Sequence, residues 1–260
     1  MDLHLTDKVA VVTGAGRGIG LAIVRALAAE GVTVIGAART ITAELTRDSA
    51  DAIAVDLSTP TGPGELVQSV LDRHGDIDIL VNNVGGGDPA DLRGFNDYDD
   101  TIWQRTFDLN LFAAVRACRA ALPSLLRRRG VIINISSAGA RLPHLGPVPY
   151  NAAKAALNAY GKALAEEYAD RGVRAVTVSP AGTRTELWTE PGGFGATLAA
   201  AQGVSHEELL TNVATAAGIS SGELIEPAHV ASMVTYLASP LAISATGNNY
   251  LVDGGAVKAV

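Results

Sequence analysis

The run Thr13-Gly14-Ala15-Gly16-Arg17-Gly18-Ile19-Gly20 constrains this chain more than any other stretch, because of what flanks it. A short β-branched run, residues 9–13, leads into it, and an apolar run with helical spacing, residues 18–29, leads out. Glycines let a backbone turn tightly and approach a diphosphate without interference from Cβ atoms. The helix that follows offers unpaired N–H groups and its positive dipole end to the same anion.

The strand-to-helix alternation then repeats along the whole chain. Strands are expected at residues 9–13, 32–37, 52–55, 77–82, 131–136, 174–179 and 249–252. Helices are expected at 18–29, 64–74, 101–128, 149–170 and 227–239. Such alternation predicts repeated βαβ units and a parallel sheet, and the nearly continuous apolar character of the strands suits coverage by helices on both faces. The expectation is therefore an α/β, doubly wound fold with a seven-stranded parallel sheet. No Pro/Gly/Ser-rich linker divides the chain, so residues 1–260 read as one domain. One stretch breaks the rhythm: residues 185–222 contain two helical-looking pieces and a glycine-rich run at 191–195, the pattern of a substrate lid.

Bulk properties exclude several classes of function. A formal net charge of −7 argues against a nucleic-acid-binding surface, which would be basic. Arg127, Arg128 and Arg129 precede Gly130 and read as the last turn of a helix. A single cysteine, Cys118, excludes an internal disulfide and suits a reducing compartment, so a cytoplasmic location is expected. The N-terminal residues lack the basic stretch and apolar core of a secretion signal, and no apolar run is expected to reach the ~20 residues of a membrane span. The histidines are scattered without metal-ligand spacing, and no metal site is expected.

The chemistry concentrates in Tyr150-Asn151-Ala152-Ala153-Lys154. A four-residue spacing puts the Tyr150 phenol and the Lys154 ammonium on one helical face. A fixed positive charge beside a phenol favours phenolate, so Lys154 is expected to lower the Tyr150 pKa toward neutrality.

Together these elements resemble the short-chain dehydrogenase/reductase family over essentially the whole chain. The resemblance rests on Gly14/Gly18/Gly20, Asp56-Leu57, Asn82-Asn83-Val84-Gly85, Asn110, Ser137, Tyr150 with Lys154, the run Pro180 to Thr185, and Val252-Asp253-Gly254-Gly255. It implies a nicotinamide-dependent oxidoreductase on a Rossmann-type fold, commonly a homotetramer or homodimer. Carried across residue by residue, it places Gly14, Arg17, Gly18, Ile19 and Gly20 around the diphosphate. Asp56 would meet the adenine amino group, with the Leu57 backbone nearby; Asn82, Asn83 and Gly85 would lie beside the adenosine ribose. Pro180, Thr183 and Thr185 would hold the nicotinamide side. Tyr150 would act as general acid in reduction and general base in oxidation, with Ser137 hydrogen-bonding the substrate oxygen. Lys154 would also bind the nicotinamide ribose, and Asn110 would hold a water leading from Lys154 to solvent. Val84 and Ala181 depart from the family's usual Ala and Gly without removing a chemical group.

At the end of the second strand Ala38 falls where an NAD-selecting carboxylate would stand, and Arg39 follows it. With Arg17 it could clamp a 2′-phosphate, which favours NADP(H) over NAD(H). The competing arrangement pairs Arg39 with Glu44 or Asp48. His144, Leu145 and Trp188 fall in segments expected to line a substrate pocket, with Leu142, Leu187 and Phe194. The expected substrate is a small carbonyl or secondary alcohol, and the most favoured activity an NADPH-dependent ketone reductase. The competing function is a catalytically silent dinucleotide-binding sensor or scaffold, since a fold alone does not fix chemistry. The retained set Ser137, Tyr150, Lys154 and Asn110 weighs for the enzyme.

Overall fold

The central strand β1 (Val9–Thr13) is buried from its second residue onward, and the sheet grows from it in both directions. We describe residues 1–87, 91 and 93–258 of a computed structural model. The sheet order is β3-β2-β1-β4-β5-β6-β7, with every neighbouring pair parallel. The elements follow one another as β1, α1 (Gly18–Ala29), β2 (Thr33–Ala38), α2 (Ala43–Asp48), β3 (Asp51–Ala54), α3 (Gly62–His74) and β4 (Ile79–Asn82). The second half runs α4 (Asp100–Phe107), α5 (Ala113–Arg128), β5 (Val131–Ile135), α6 (Val148–Tyr168) and β6 (Arg174–Pro180). Then come α7 (Glu186–Thr189), α8 (Phe194–Gln202), α9 (His206–Ala216), α10 (Pro227–Ala238) and β7 (Asn249–Val252). This is the doubly wound, Rossmann-like arrangement expected from the alternation.

Strand side chains alternate between two cores. Ala10, Val12, Val34, Val81 and Ile133 face α1 and α10, whose Ile23, Val24, Leu27, Val230 and Val234 are fully buried. Val11, Ile35, Leu80 and Ile132 face the other way, onto Leu66 and Val70 of α3 and Ala117, Ala121 and Leu125 of α5. Truncating one such side chain, Leu27→Ala for instance, would cost about 2–5 kcal/mol.

Three elements differ from expectation. The short α2 was not anticipated; Thr42 caps it by accepting from Leu45 N–H at 3.2 Å, and Leu45 inserts fully into the core. The single helix expected over 101–128 is divided by a π-helical turn, Asp108–Phe112, between α4 and α5. By length and composition the continuous stretch Asp100–Arg128 would suffice to cross a membrane, contrary to the reading of apolar runs. Its buried row Ala113, Ala117, Cys118, Ala121 and Leu125 instead lies in the core beneath the sheet. The segment from α7 to α9 forms a third, separate core of Ala199, Leu209, Val213, Ile219 and Leu224, onto which Trp188 and Leu142 pack.

The chain order reverses between β1 and β4, and the loops leaving the carboxyl ends of the strands meet there. In parallel α/β sheets such a switch point forms the binding crevice.

Candidate active site

Each loop at that crevice is braced by its neighbour. Gly14 and Gly18 both adopt positive φ, 65° and 55°, which β-carbon-bearing residues rarely tolerate. A Cβ on Gly20 would lie 2.2 Å from the Gly14 carbonyl oxygen, so only glycine lets α1 start that close to the turn. Arg17 at the N-cap gives α1 no side-chain cap, and no acidic residue stands in its first turn. The leading N–H groups of α1 are thus left for an external anion. Asn83 braces the glycine turn: its Nδ2 donates to the Thr13 and Gly14 carbonyls at 2.9 and 3.0 Å. Thr13 Oγ1 in turn accepts from the Asn83 and Val84 N–H groups.

Further along the crevice, Asp56 Oδ1 accepts from the backbone N–H and hydroxyl of Ser58, which hold its carboxyl below the usual range, helped by Arg39. Leu57 is buried in the core. Arg17 and Arg39 are exposed. Asp48 is taken by Arg25 at 2.6 Å and Arg47 at 2.7 Å. Among the described residues Arg39 makes no ion pair with it or with Glu44.

On the other side of the switch point, Ser137 follows β5 and Tyr150 and Lys154 sit in the first turns of α6. The Ser137 hydroxyl stands close enough to the Tyr150 phenol to oppose a rise in its pKa. Lys154 Nζ lies 5.8 Å from the centre of the Tyr150 ring and donates to the Ile135 carbonyl at 2.9 Å. Asn110, 1% exposed, projects from the π-helical turn. Its Oδ1 accepts from Gly86 N–H, and its Nδ2 donates to the Gly86 and Thr106 carbonyls. Gly85 joins the two: a Cβ there would lie 2.8 Å from Asn110 Oδ1 and 2.9 Å from Lys154 Nζ.

The electrostatics differ from the sequence expectation in one respect. Burial pushes the Tyr150 phenol up, opposed by the Ser137 hydroxyl, and Lys154 contributes no resolved lowering. Burial also pushes Lys154 itself down, to about 8. Desolvation outweighs the pairwise attraction because both groups lose water and no carboxylate accompanies them.

The loop after β6 closes the crevice. Thr183, 5% exposed, donates to the Ala181 carbonyl and pairs with Ile225 in a β-bridge. Thr185 lies against Gly18, its Cγ2 3.1 Å from where a Cβ would stand, and the Glu186 carboxylate is beside it at 3.4 Å from the same point. Trp188 stacks edge-on against Phe194 at 5.4 Å and accepts from His206 Nε2 through its carbonyl at 2.7 Å. It therefore serves the core of the 185–222 segment as well as facing Gly182. His144 is exposed in a 3-10 turn, Pro143–Leu145, and the side chain of Leu145 lies outside the described residues. Glu186 and Asn151 are polar groups at the crevice that the sequence reading did not single out. Asn151 could have drawn notice as an amide directly following Tyr150.

A glycine turn opening an uncapped helix, at the same crevice as a phenol, a hydroxyl and a buried ammonium, suits a nicotinamide-dependent oxidoreductase. The sequence profile of short chain dehydrogenases matches residues 8–192. The chain is 32% identical over 259 residues to a 3-oxoacyl-(acyl-carrier-protein) reductase of Vibrio cholerae, covering 97% of this chain and 98% of that one. It is 36% identical over 263 residues to a 2,3-dihydroxy-2,3-dihydro-p-cumate dehydrogenase of Pseudomonas putida, covering 97% and 95%. L-sorbose reductase from Gluconobacter frateurii, solved with NADPH and L-sorbose, superposes with a TM-score of 0.91 at 32% identity over 100% of both chains. The chain belongs to the short chain dehydrogenase family. It is an enzyme that oxidises or reduces at a carbonyl or alcohol carbon.

Proposed function

We propose that the protein is an NADPH-dependent ketone reductase in which Tyr150 delivers the proton to the substrate oxygen. The observation that carries this is the Tyr150 ring, with its centre 5.8 Å from the Nζ of buried Lys154, which among the described residues has no carboxylate partner, on the helix facing the Ser137 turn. A bound reduced nicotinamide supplies the hydride. Burial raises the pKa of the phenol, which suits it to carrying the proton that a developing alkoxide needs. Ser137 donates a hydrogen bond to the same oxygen, and Lys154 holds positive charge behind the phenol. Asn110 Oδ1 and Lys154 Nζ face one point above Gly85, a spacing suited to one bridging water that returns the proton.

The cofactor preference rests on Arg17 and Arg39, two exposed guanidiniums at the adenosine end with no carboxylate at Ala38. One relative points the same way: L-sorbose reductase was solved with NADPH and L-sorbose. We take residues 1–260 as one functional unit, with 185–222 as its lid and His144 and Trp188 on the substrate side. Val115, Leu122 and Leu164 line an open groove between α5 and α6, which supports association of two or four copies through these helices. The lone, buried Cys118 supports a cytoplasmic setting.

The test is turnover of ethyl acetoacetate, cyclohexanone and L-sorbose with NADPH, followed by loss of reduced-cofactor absorbance. Tyr150→Phe is expected to keep NADPH binding and lose about 10²–10⁴-fold in kcat. Turnover by Tyr150→Phe at the level of the unaltered protein would refute the assignment.

A further inference from the structure

Asn151 stands one residue beyond Tyr150 on α6, is 3% exposed, and takes no part in the roles assigned above. An amide buried there without partners would cost about 1–3 kcal/mol, so its contacts are informative. Its Nδ2 donates to the Pro143 carbonyl at 2.9 Å and the Gly146 carbonyl at 3.2 Å, tying down both ends of the turn that carries His144. Its Oδ1 presses against Gly139: a Cβ at that position would lie only 2.2 Å from it. Gly139 is also the residue whose N–H donates to Ser137 Oγ, at 3.0 Å. That bond fills one acceptor direction of the Ser137 hydroxyl and leaves its proton free to point toward Tyr150 and the substrate oxygen.

We propose that Asn151 is a positioning residue for Ser137: it clamps the 138–147 loop to α6 and, through Gly139, fixes the direction in which the Ser137 hydroxyl donates. The proposal rests on the reductase reading for its kinetic consequence but not for the clamp itself. One helical turn thereby carries the proton donor at Tyr150, the loop clamp at Asn151 and the ammonium at Lys154. The loop is otherwise held by short 3-10 turns at Ala138–Ala140 and Pro143–Leu145, which contribute few backbone bonds.

The experiment uses the full chain and two readouts. Hydrogen–deuterium exchange over peptides covering residues 138–147 reports the clamp without any substrate. Asn151→Ala is expected to raise exchange there and leave α1 and β1 unchanged; unchanged exchange in the loop overturns the clamp. Steady-state reduction of ethyl acetoacetate with NADPH then tests the route through Ser137. Asn151→Ala is expected to lower kcat by about 10- to 100-fold while leaving the KM for NADPH unaltered. In a Ser137→Ala background the same change is expected to cost less than 3-fold, because both substitutions remove one interaction. Fully additive losses would overturn the positioning role. Should Asn151→Ala fail to fold, Asn151→Asp keeps the side-chain volume but lacks both donors, and the same cycle applies. A protein inactive on every carbonyl offered, yet with loosened 138–147 exchange in the variant, would count against the reductase reading and leave the clamp standing.

Discussion

Lys154 stands in an environment that opposes the charged form its chemistry prefers. It is 3% exposed, has one carbonyl partner, and its pKa falls from 10.5 to about 8 through burial. The fold thus disfavours its protonated form. Below pH 8 both folded and unfolded chains hold the proton and the whole penalty is present; between the two pKa values the unfolded chain holds more, so stability rises with pH. A depression of this size corresponds to roughly 3 kcal/mol. Lys154→Met, which keeps the bulk and removes the charge, is therefore expected to raise Tm by several degrees at neutral pH. The gain should shrink as pH approaches 10, while turnover is lost. Scanning calorimetry across that range checks it, and a Tm lowered at neutral pH would contradict the assigned penalty. An active-site group that weakens the fold while serving the reaction is an expected trade.

At the scale of elements, the sequence conveyed strands better than helix interruptions. Parallel strands covered on both faces leave nearly uninterrupted apolar runs, and β1, β5 and β7 lie where those runs fall. The runs also conceal a polar row. Asn82, Asn134, Thr177 and Asn249 are in register across β4, β5, β6 and β7, and Asn82 Nδ2 donates to Asn134 Oδ1 at 2.9 Å. Nothing in a single strand signals that alignment, because it depends on register between distant segments. The π-helical turn was illegible for a similar reason. Asn110 Nδ2 donates to the Thr106 carbonyl, which a regular α-helix would give to the Asn110 backbone N–H. Side chain replaces backbone there, the helix accommodates an extra residue, and Asn110 is aimed at Gly86. Asn110→Leu is expected to strand the Gly86 N–H and carbonyl, cost about 1–3 kcal/mol, and lower Tm by about 2–4 °C per kcal/mol. Turnover should fall as well. A variant with unchanged Tm and faster exchange nowhere near Gly86 would show that the turn does not depend on this amide.

For the molecule as a whole, the glycine turn and the Tyr150/Lys154 spacing mark two halves of the candidate site, because each is a local pattern. The braces between the halves were not readable: Asn83 against Thr13 and Gly14, Thr185 against Gly18, Asn110 and Lys154 above Gly85. They form only when loops from β1, β4, β5 and β6 converge, so binding at the crevice should be felt throughout the fold. A ligand that binds only the folded state at 100 times its Kd stabilises by about 2.7 kcal/mol, or roughly 5–10 °C in Tm for a chain of this size. NADPH is expected to give a shift in that range, and NADH at equal concentration a smaller one, because only the former brings a 2′-phosphate to Arg17 and Arg39. Arg39→Asp removes a guanidinium and sets a second carboxylate near Asp56, whose charge Arg39 now offsets. The NADPH shift in that variant should drop below the NADH shift, and added salt should narrow the difference in the unaltered protein by screening the exposed pair. Equal shifts for the two dinucleotides before substitution, insensitive to salt, would mean that the adenosine end does not recognise the phosphate.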